Sequence, residues 1–187
     1  VWVSDREYFI QARARDRARL GDGTPAGNTQ DSFPYGGASY RRFIVDDTPP
    51  ELFVGTPAAG GFMNSLSQVA GTANADLAGL KGAASAGLKV RIYYEDGGDR
   101  YFWDWDSAFV LDSPDRDRTA DYGATAGTVS WSVSSDLPAP AVLDPANNPY
   151  YIAVEAQDVT GLVTVSTISV TVDKSPGVVV STLPVNG

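Results

Sequence analysis

Asp104 and Asp106 raise the question of chemistry first, because residues two apart on a strand point to one face. Two carboxylates about 5 Å apart can serve a glycosidase as acid and nucleophile. The neighbouring sequence gives both a simpler use. Gly97-Gly98 lies between two alternating runs and suits a two-residue hairpin turn, whose centre needs positive φ. That turn sets Lys89 opposite Asp106, Arg91 opposite Asp104, Glu95 opposite Arg100 and Tyr93 beside Phe102. Each cross-strand ion pair is worth roughly 0.2–1 kcal/mol, and the aspartates read as members of this ladder.

The same register sorts the aromatic side chains. Val90, Ile92 and Tyr94 face Trp105, Trp103 and Tyr101, which turns both indoles toward the apolar face and predicts them mostly buried. Tyr93 and Phe102 stay on the outer face as the candidate ligand-binding residues, for a surface glycan or a protein ligand. Oxygen ligands recur in Asp115-Arg116-Asp117-Arg118-Thr119-Ala120-Asp121, a spacing that could wrap Ca²⁺ through Asp115, Asp117 and Asp121. This run lacks the Gly turn and terminal Glu of a calcium loop, and its arginines compete, so a solvated acidic loop is the expectation. Asp46 and Asp47 precede Thr48-Pro49-Pro50, where they either cap a turn or help hold Ca²⁺ between domains. Asp16 and Asp158 follow matching strands and read as turn residues. No cofactor is expected beyond calcium at these weak sites.

Other chemistry is excluded by composition. The 187 residues contain no His and no Cys, which removes imidazole and thiolate metal sites, Cys nucleophiles and His-based triads. Serine and threonine hydroxyls have no base to activate them, with three Lys in the chain. No catalytic residue is expected, and no enzyme. The net charge of −9 lies wholly in residues 48–187, which carry seven basic and sixteen acidic side chains. Nucleic acid needs the opposite field, so it is not an expected partner. No run approaches the ~20 apolar residues of a membrane span. The chain opens at Val1 in what reads as the middle of a strand, without a visible signal peptide, and is expected to be an excised piece of a longer protein.

The elements that must position these side chains follow from an internal repeat. Tyr8, Ile10, Ala14 and Asp16 recur as Tyr150, Ile152, Ala156 and Asp158 within similar strands, 142 residues on. Val45-Asp46-Asp47-Thr48-Pro49 recurs as Val172-Asp173-Lys174-Ser175-Pro176, 127 residues on, and Thr56-Pro57 to Gly60 as Leu183-Pro184 to Gly187. The difference in spacing is taken up by the Gly/Pro/Asn-rich stretch Leu20 to Ser39, which the second copy lacks. Residues 1–47 are therefore the C-terminal part of one repeat, 48–174 a complete one and 175–187 the first strand of a third. Neither end piece can bury a core alone.

Within the complete repeat, alternation predicts strands over Glu51–Val54, Ser67–Ala73, Leu88–Glu95, Arg100–Asp106, Phe109–Leu111, Thr128–Val133, Tyr150–Gln157 and Val163–Val172. Ala75 to Gly87 reads as loop or a short helical turn, and Asp112 to Gly127 as a polar excursion. Short strands of this number, with hairpins and no cysteine, describe an all-β antiparallel sandwich. The linker Val45 to Pro50, Asn64-Ser65, Val69-Ala70-Gly71-Thr72-Ala73, the aromatics Tyr101 to Trp105 and the run Ala153 to Gly161 occur in an order that resembles the bacterial immunoglobulin-like repeats found in tandem in large secreted and cell-surface proteins. The acidic excursion, and Leu162 where Asn often follows the Gly, depart from that pattern. The resemblance implies an extracellular or cell-surface location and spacer, adhesive or filament-forming roles. It implies neighbouring repeats or other copies of the protein as partners, and no catalytic residues.

Overall fold

Alternation of apolar and polar residues becomes strand almost everywhere it occurs. The computed structural model describes residues 1–14, 16–23, 27, 40–113 and 116–175. Along them run β1 (Arg6–Gln11), β2 (Tyr40–Val45), β3 (Glu51–Thr56), β4 (Phe62–Met63), β5 (Val69–Asn74), β6 (Leu88–Asp96), β7 (Asp99–Trp103), β8 (Phe109–Leu111), β9 (Arg118–Thr119), β10 (Thr128–Val133), β11 (Tyr150–Gln157) and β12 (Val163–Val172). Short 3₁₀ turns at Ala83–Ser85 and Pro145–Asn147 are the helical elements among the described residues. None is long and apolar enough to cross a membrane.

Two sheets face each other from β3 onward. One is ordered β3–β5–β10; the other runs β4–β12–β11–β6–β7–β8, with β9 taking over the edge of β6. Taken as strands A, B and E against G, F, C and C′, this is the immunoglobulin arrangement, and β4 pairs parallel to β12 beside it. Tyr150, at the start of β11, adds the corner associated with that fold. Its hydroxyl donates to the Asp144 carbonyl at 3.1 Å and accepts from the Asp144 N–H at 2.8 Å. The fold is thus an immunoglobulin-like antiparallel β-sandwich.

The core is where the period-2 patterns meet. β11 alternates buried and half-buried without a break, sending Tyr150, Ile152, Val154 and Ala156 inward. They meet Leu88, Val90 and Ile92 of β6 on the same sheet, and Val54, Val69, Val129, Trp131 and Val133 from the opposite one. Burying an aliphatic or aromatic side chain here stabilises by about 1.5–3 kcal/mol each.

β1 and β2 form a hairpin of their own. Tyr8 stacks on Phe43 with Trp2 edge-on to both, and Phe9 lies against Tyr40 on the other side. Ile10, one step along from Tyr8 on the same face, remains 53% exposed. The hairpin shares its register with the sandwich's closing hairpin. Tyr8 pairs with Phe43; shifted by 142 and 127 positions these become Tyr150 and Val170, which pair in β11–β12.

Two expectations are corrected. The strand expected over Arg100–Asp106 ends at Trp103, because the chain turns at Asp104 and Trp105 adopts a φ of 64°. The polar excursion contains β9, and the Pro57–Asn64 stretch contains β4; at two residues each, neither is long enough to show a period. The first strand expected over 175–187 lies outside the described residues beyond Ser175, as does most of Leu20–Ser39.

Candidate functional site

The outer face of β6 carries the residues singled out for ligand binding. The turn at Gly97-Gly98 forms with positive φ at both glycines. It sets Tyr93 opposite Phe102, Tyr94 opposite Tyr101 and Glu95 opposite Arg100, as the sequence requires. Tyr151 of β11 joins from the other side, giving a row in which ring centroids are 5.1 Å apart for Tyr151–Tyr93 and 5.3 Å for Tyr93–Phe102. Arg100 lies 5.4 Å above the Tyr93 ring and donates to Glu95 at 2.8 Å. Burial, partly offset by the Arg100 charge, holds the Tyr93 phenol above its ordinary pKa. Phe102 is not the exposed residue expected. It is 6% exposed, flanked directly by Tyr93 on β6 and Val110 on β8. What the row offers to a ligand is Tyr93 and Tyr151, both half-buried.

Beyond Trp103 the expected ladder is replaced. Because β7 ends there, β9 pairs with Lys89 and Val90 instead. Arg91 pairs with Asp117, and Lys89 reaches Asp117 at 3.5 Å and Glu155 at 3.8 Å, with Arg91 also 3.7 Å from Glu155. The basic side chains are right and their partners are not the expected Asp104 and Asp106. Asp104 instead accepts from three main-chain N–H groups, of Asp106 at 3.0 Å, Ser107 at 2.8 Å and Ala108 at 3.0 Å. Those bonds, from Ala108 foremost, hold its carboxyl below the usual carboxylate range. A carboxylate so occupied is a turn-former, and Asp106 is exposed. Trp103 is buried, its Nε1 donating to the Asp136 carbonyl at 2.7 Å. Trp105, half-buried against the core's edge, donates to the Arg116 carbonyl at 2.9 Å.

The calcium candidates separate in the same way. Asp117 is committed to Arg91 and Lys89, Asp121 is exposed and bridges Ser132 through its main chain, and Asp115 lies outside the described residues. Asp47 is exposed. Asp46 differs: Oδ1 accepts from Thr48 N–H at 3.0 Å, while Oδ2 is shut off from solvent without a donor. Asp158 shares that condition and was missed as more than a turn residue. Its Oδ1 accepts from Thr160 Oγ1 at 2.8 Å, Gly161 N at 2.7 Å and Leu162 N at 2.9 Å, and its Oδ2 is buried without a partner. The signal was available, since the alternation from Tyr150 through Ala156 continues one step to Asp158. Among the described residues no three acidic side chains converge closely enough to form a ready-made metal site.

No family model matches the chain, and no curated protein matches it. Among solved structures, murine CRIg aligns over 68% of this chain and 100% of its own length, at 15% identity and a TM-score of 0.30.

Proposed function

We propose that the chain is a structural segment of an array of immunoglobulin-like repeats in a large extracellular or cell-surface protein of bacterial type, without catalytic activity. One observation carries this reading. The β1–β2 and β11–β12 hairpins have the same register, and the turns that leave them are built alike. Asp46 Oδ1 accepts from Thr48 N–H at 3.0 Å, and Asp173 Oδ1 from Ser175 N–H at 2.8 Å. A repeated unit with a repeated exit is what a spacer, adhesive or filament-forming protein needs, since it fixes how one unit follows the next. The Pro49-Pro50 linker narrows the bending available there.

A repeat of this kind folds by itself. Residues 48–174, produced alone and measured in chelator, should unfold in one cooperative transition at the midpoint of the sandwich in the full chain. Failure to fold without residues 1–47 would refute the assigned boundaries. The second reading, a glycan- or protein-binding module, is supported by the Tyr151–Tyr93 row beneath Arg100. A glycan array probed with the full chain tests it: binding abolished by Tyr93→Ala would put that reading first.

A further inference from the structure

We propose that the open edge of β12 is a pairing site for a second copy of this chain, joined antiparallel through residues 163–167 about a two-fold axis at Val165. β12 is bonded to β11 along one side, and β4 covers only its far end, at Thr171 and Val172. The bonds at that end show which way the strand faces. Ser169 C=O accepts from Gly60 N–H at 2.7 Å, and the N–H groups of Thr171 and Asp173 donate to the Gly61 and Met63 carbonyls at 2.9 and 2.8 Å. Alternate residues of an antiparallel strand direct N–H and C=O to the same side. Val163, Val165 and Thr167 therefore aim theirs at this same edge, where no described strand pairs with them.

Natural sheets protect such edges with charge, proline, a bulge or brevity. The other edges of the sandwich do so. β3 carries Glu51 and a register shift after Val54, and lies between Pro50 and Pro57. β8 has three residues and is followed by Asp112. β10 is bridged at Ser132 by Asp121, an exposed acid. β12 uses none of these devices. Its ten residues, Val-Thr-Val-Ser-Thr-Ile-Ser-Val-Thr-Val, contain no charge, Pro or Gly and keep an unbroken register with β11. In a chain of net charge −9 it is an uncharged and mostly β-branched strip, well suited to pairing.

The occupant that fits is the strand itself. Pairing about Val165 exchanges bonds between Val165 and its twin, and between Val163 and Thr167 in both directions, so every outward group of the open stretch is satisfied. Any other antiparallel centre pairs fewer of them. On the exposed face β-branched side chains meet their like, Val163 and Val165 being 43% and 57% exposed. Glu155, opposite Val165 on β11, is offset by Lys89 at 3.8 Å and Arg91 at 3.7 Å, so its charge is balanced before the copies meet. The ends agree with the middle. Phe62, which pairs with Thr171, is 77% exposed, and Val159, in the turn before β12, is 61% exposed. Thr171 and Val159 lie equally far along the chain from Val165, on either side, so the two-fold brings Val159 of each copy toward Phe62 of the other. A foreign extended peptide would satisfy the main chain but not both ends. The inference does not rest on the tandem reading, because both surfaces are in this chain.

The test uses the full chain. Sedimentation equilibrium should show monomers and dimers exchanging at chain concentrations on the order of 10⁻⁴ M, as suits an interface below the standard size. Val165→Lys sets like charges face to face at the axis and should raise the dissociation constant at least about tenfold. In dilute solution, where the chain is monomeric, its melting midpoint should stay within about 3 °C of the unsubstituted chain's, because the site is exposed. Phe53→Lys, at an exposed position on the opposite sheet, should leave the dimer unchanged. The register has its own test, because the chain contains no cysteine. In Val165→Cys the two Cα atoms lie about 5.5 Å apart across the seam, within disulfide reach. In Thr167→Cys the twins lie ~13 Å apart along the strands. Mild oxidation should link the first variant at least about tenfold faster than the second. A chain that stays monomeric up to about 1 mM, a dimer that survives Val165→Lys, or equal crosslinking of the two cysteine variants would overturn the proposal.

Discussion

Asp104 follows the last residue of β7 and shapes the turn there with its own carboxylate. The three N–H groups that donate to its carboxylate make it a cap for the Asp104–Ala108 turn, comparable to a helix N-cap. Asp104→Ala should therefore cost about 1–2 kcal/mol, more than an exposed ion pair would. The pH dependence has a definite sign. Native contacts depress this carboxyl's pKa, so its contribution is present in full above the unfolded value of about 4 and fades as pH falls through the native one. Urea denaturation of both forms from pH 7 to 3 should show the stability gap closing on the acid side. A gap that widens there would mean the carboxylate is held some other way. Phe102 makes the complementary point. Being buried, it should cost about 3–5 kcal/mol when cut to Ala, as should Trp103. Tyr93, only half-buried, should cost less. Nothing in a two-residue period separates Phe102 from Tyr93, because both belong to the outer face; their burial is decided by what lies on the neighbouring strands.

At the scale of the element, glycines and one tyrosine define the sandwich more sharply than its apolar residues do. Gly98 has a φ of 98° and open space around it, so Gly98→Ala meets only backbone strain, about 1 kcal/mol. A Cβ on Gly71 would stand 1.9 Å from the Phe53 carbonyl oxygen and 2.8 Å from the Trp131 ring. Gly71→Ala must therefore push β3 off β5 and should lower the melting midpoint far more than Gly98→Ala. Comparable shifts from both would show that β3 yields easily. Tyr150→Phe deletes both bonds to Asp144 in a buried corner and should cost about 1–3 kcal/mol with no change of fold. These elements were legible to different degrees. β6, β10 and β11 follow directly from alternation, because each has one face in the core and one outside it. β7 was drawn too long since Asp104, Trp105 and Asp106 continue the alternation, and only the three-bond turn at Asp104 breaks it. The two aspartates with a buried, unpartnered oxygen were legible to different degrees: Asp46 was singled out by its Pro-Pro context, whereas Asp158 required extending a burial pattern across a strand's end into its turn.

Across the whole molecule, stability should fall steeply from the sandwich to the hairpin that precedes it. β6 and β11 are each bonded on both sides and close over side chains with essentially no exposure. Their amides can exchange only when the whole sandwich opens. Among the described residues β1 and β2 pair only with each other, and Phe9 and Ile10 on their two faces are about half exposed. A lone two-stranded hairpin is marginal in water, and the Trp2–Tyr8–Phe43 cluster covers one end of one face. Native-state hydrogen exchange in chelator should then show β1–β2 amides exchanging through local opening, orders of magnitude faster than those of β6 and β11. Concentration is the decisive control. Protection of β1–β2 that rises with protein concentration would mean that a second copy covers the face bearing Ile10, as an array of such units would require. Protection equal to that of β11 in dilute chelator, independent of concentration, would instead show the hairpin to be a stable unit by itself, contrary to its exposed faces.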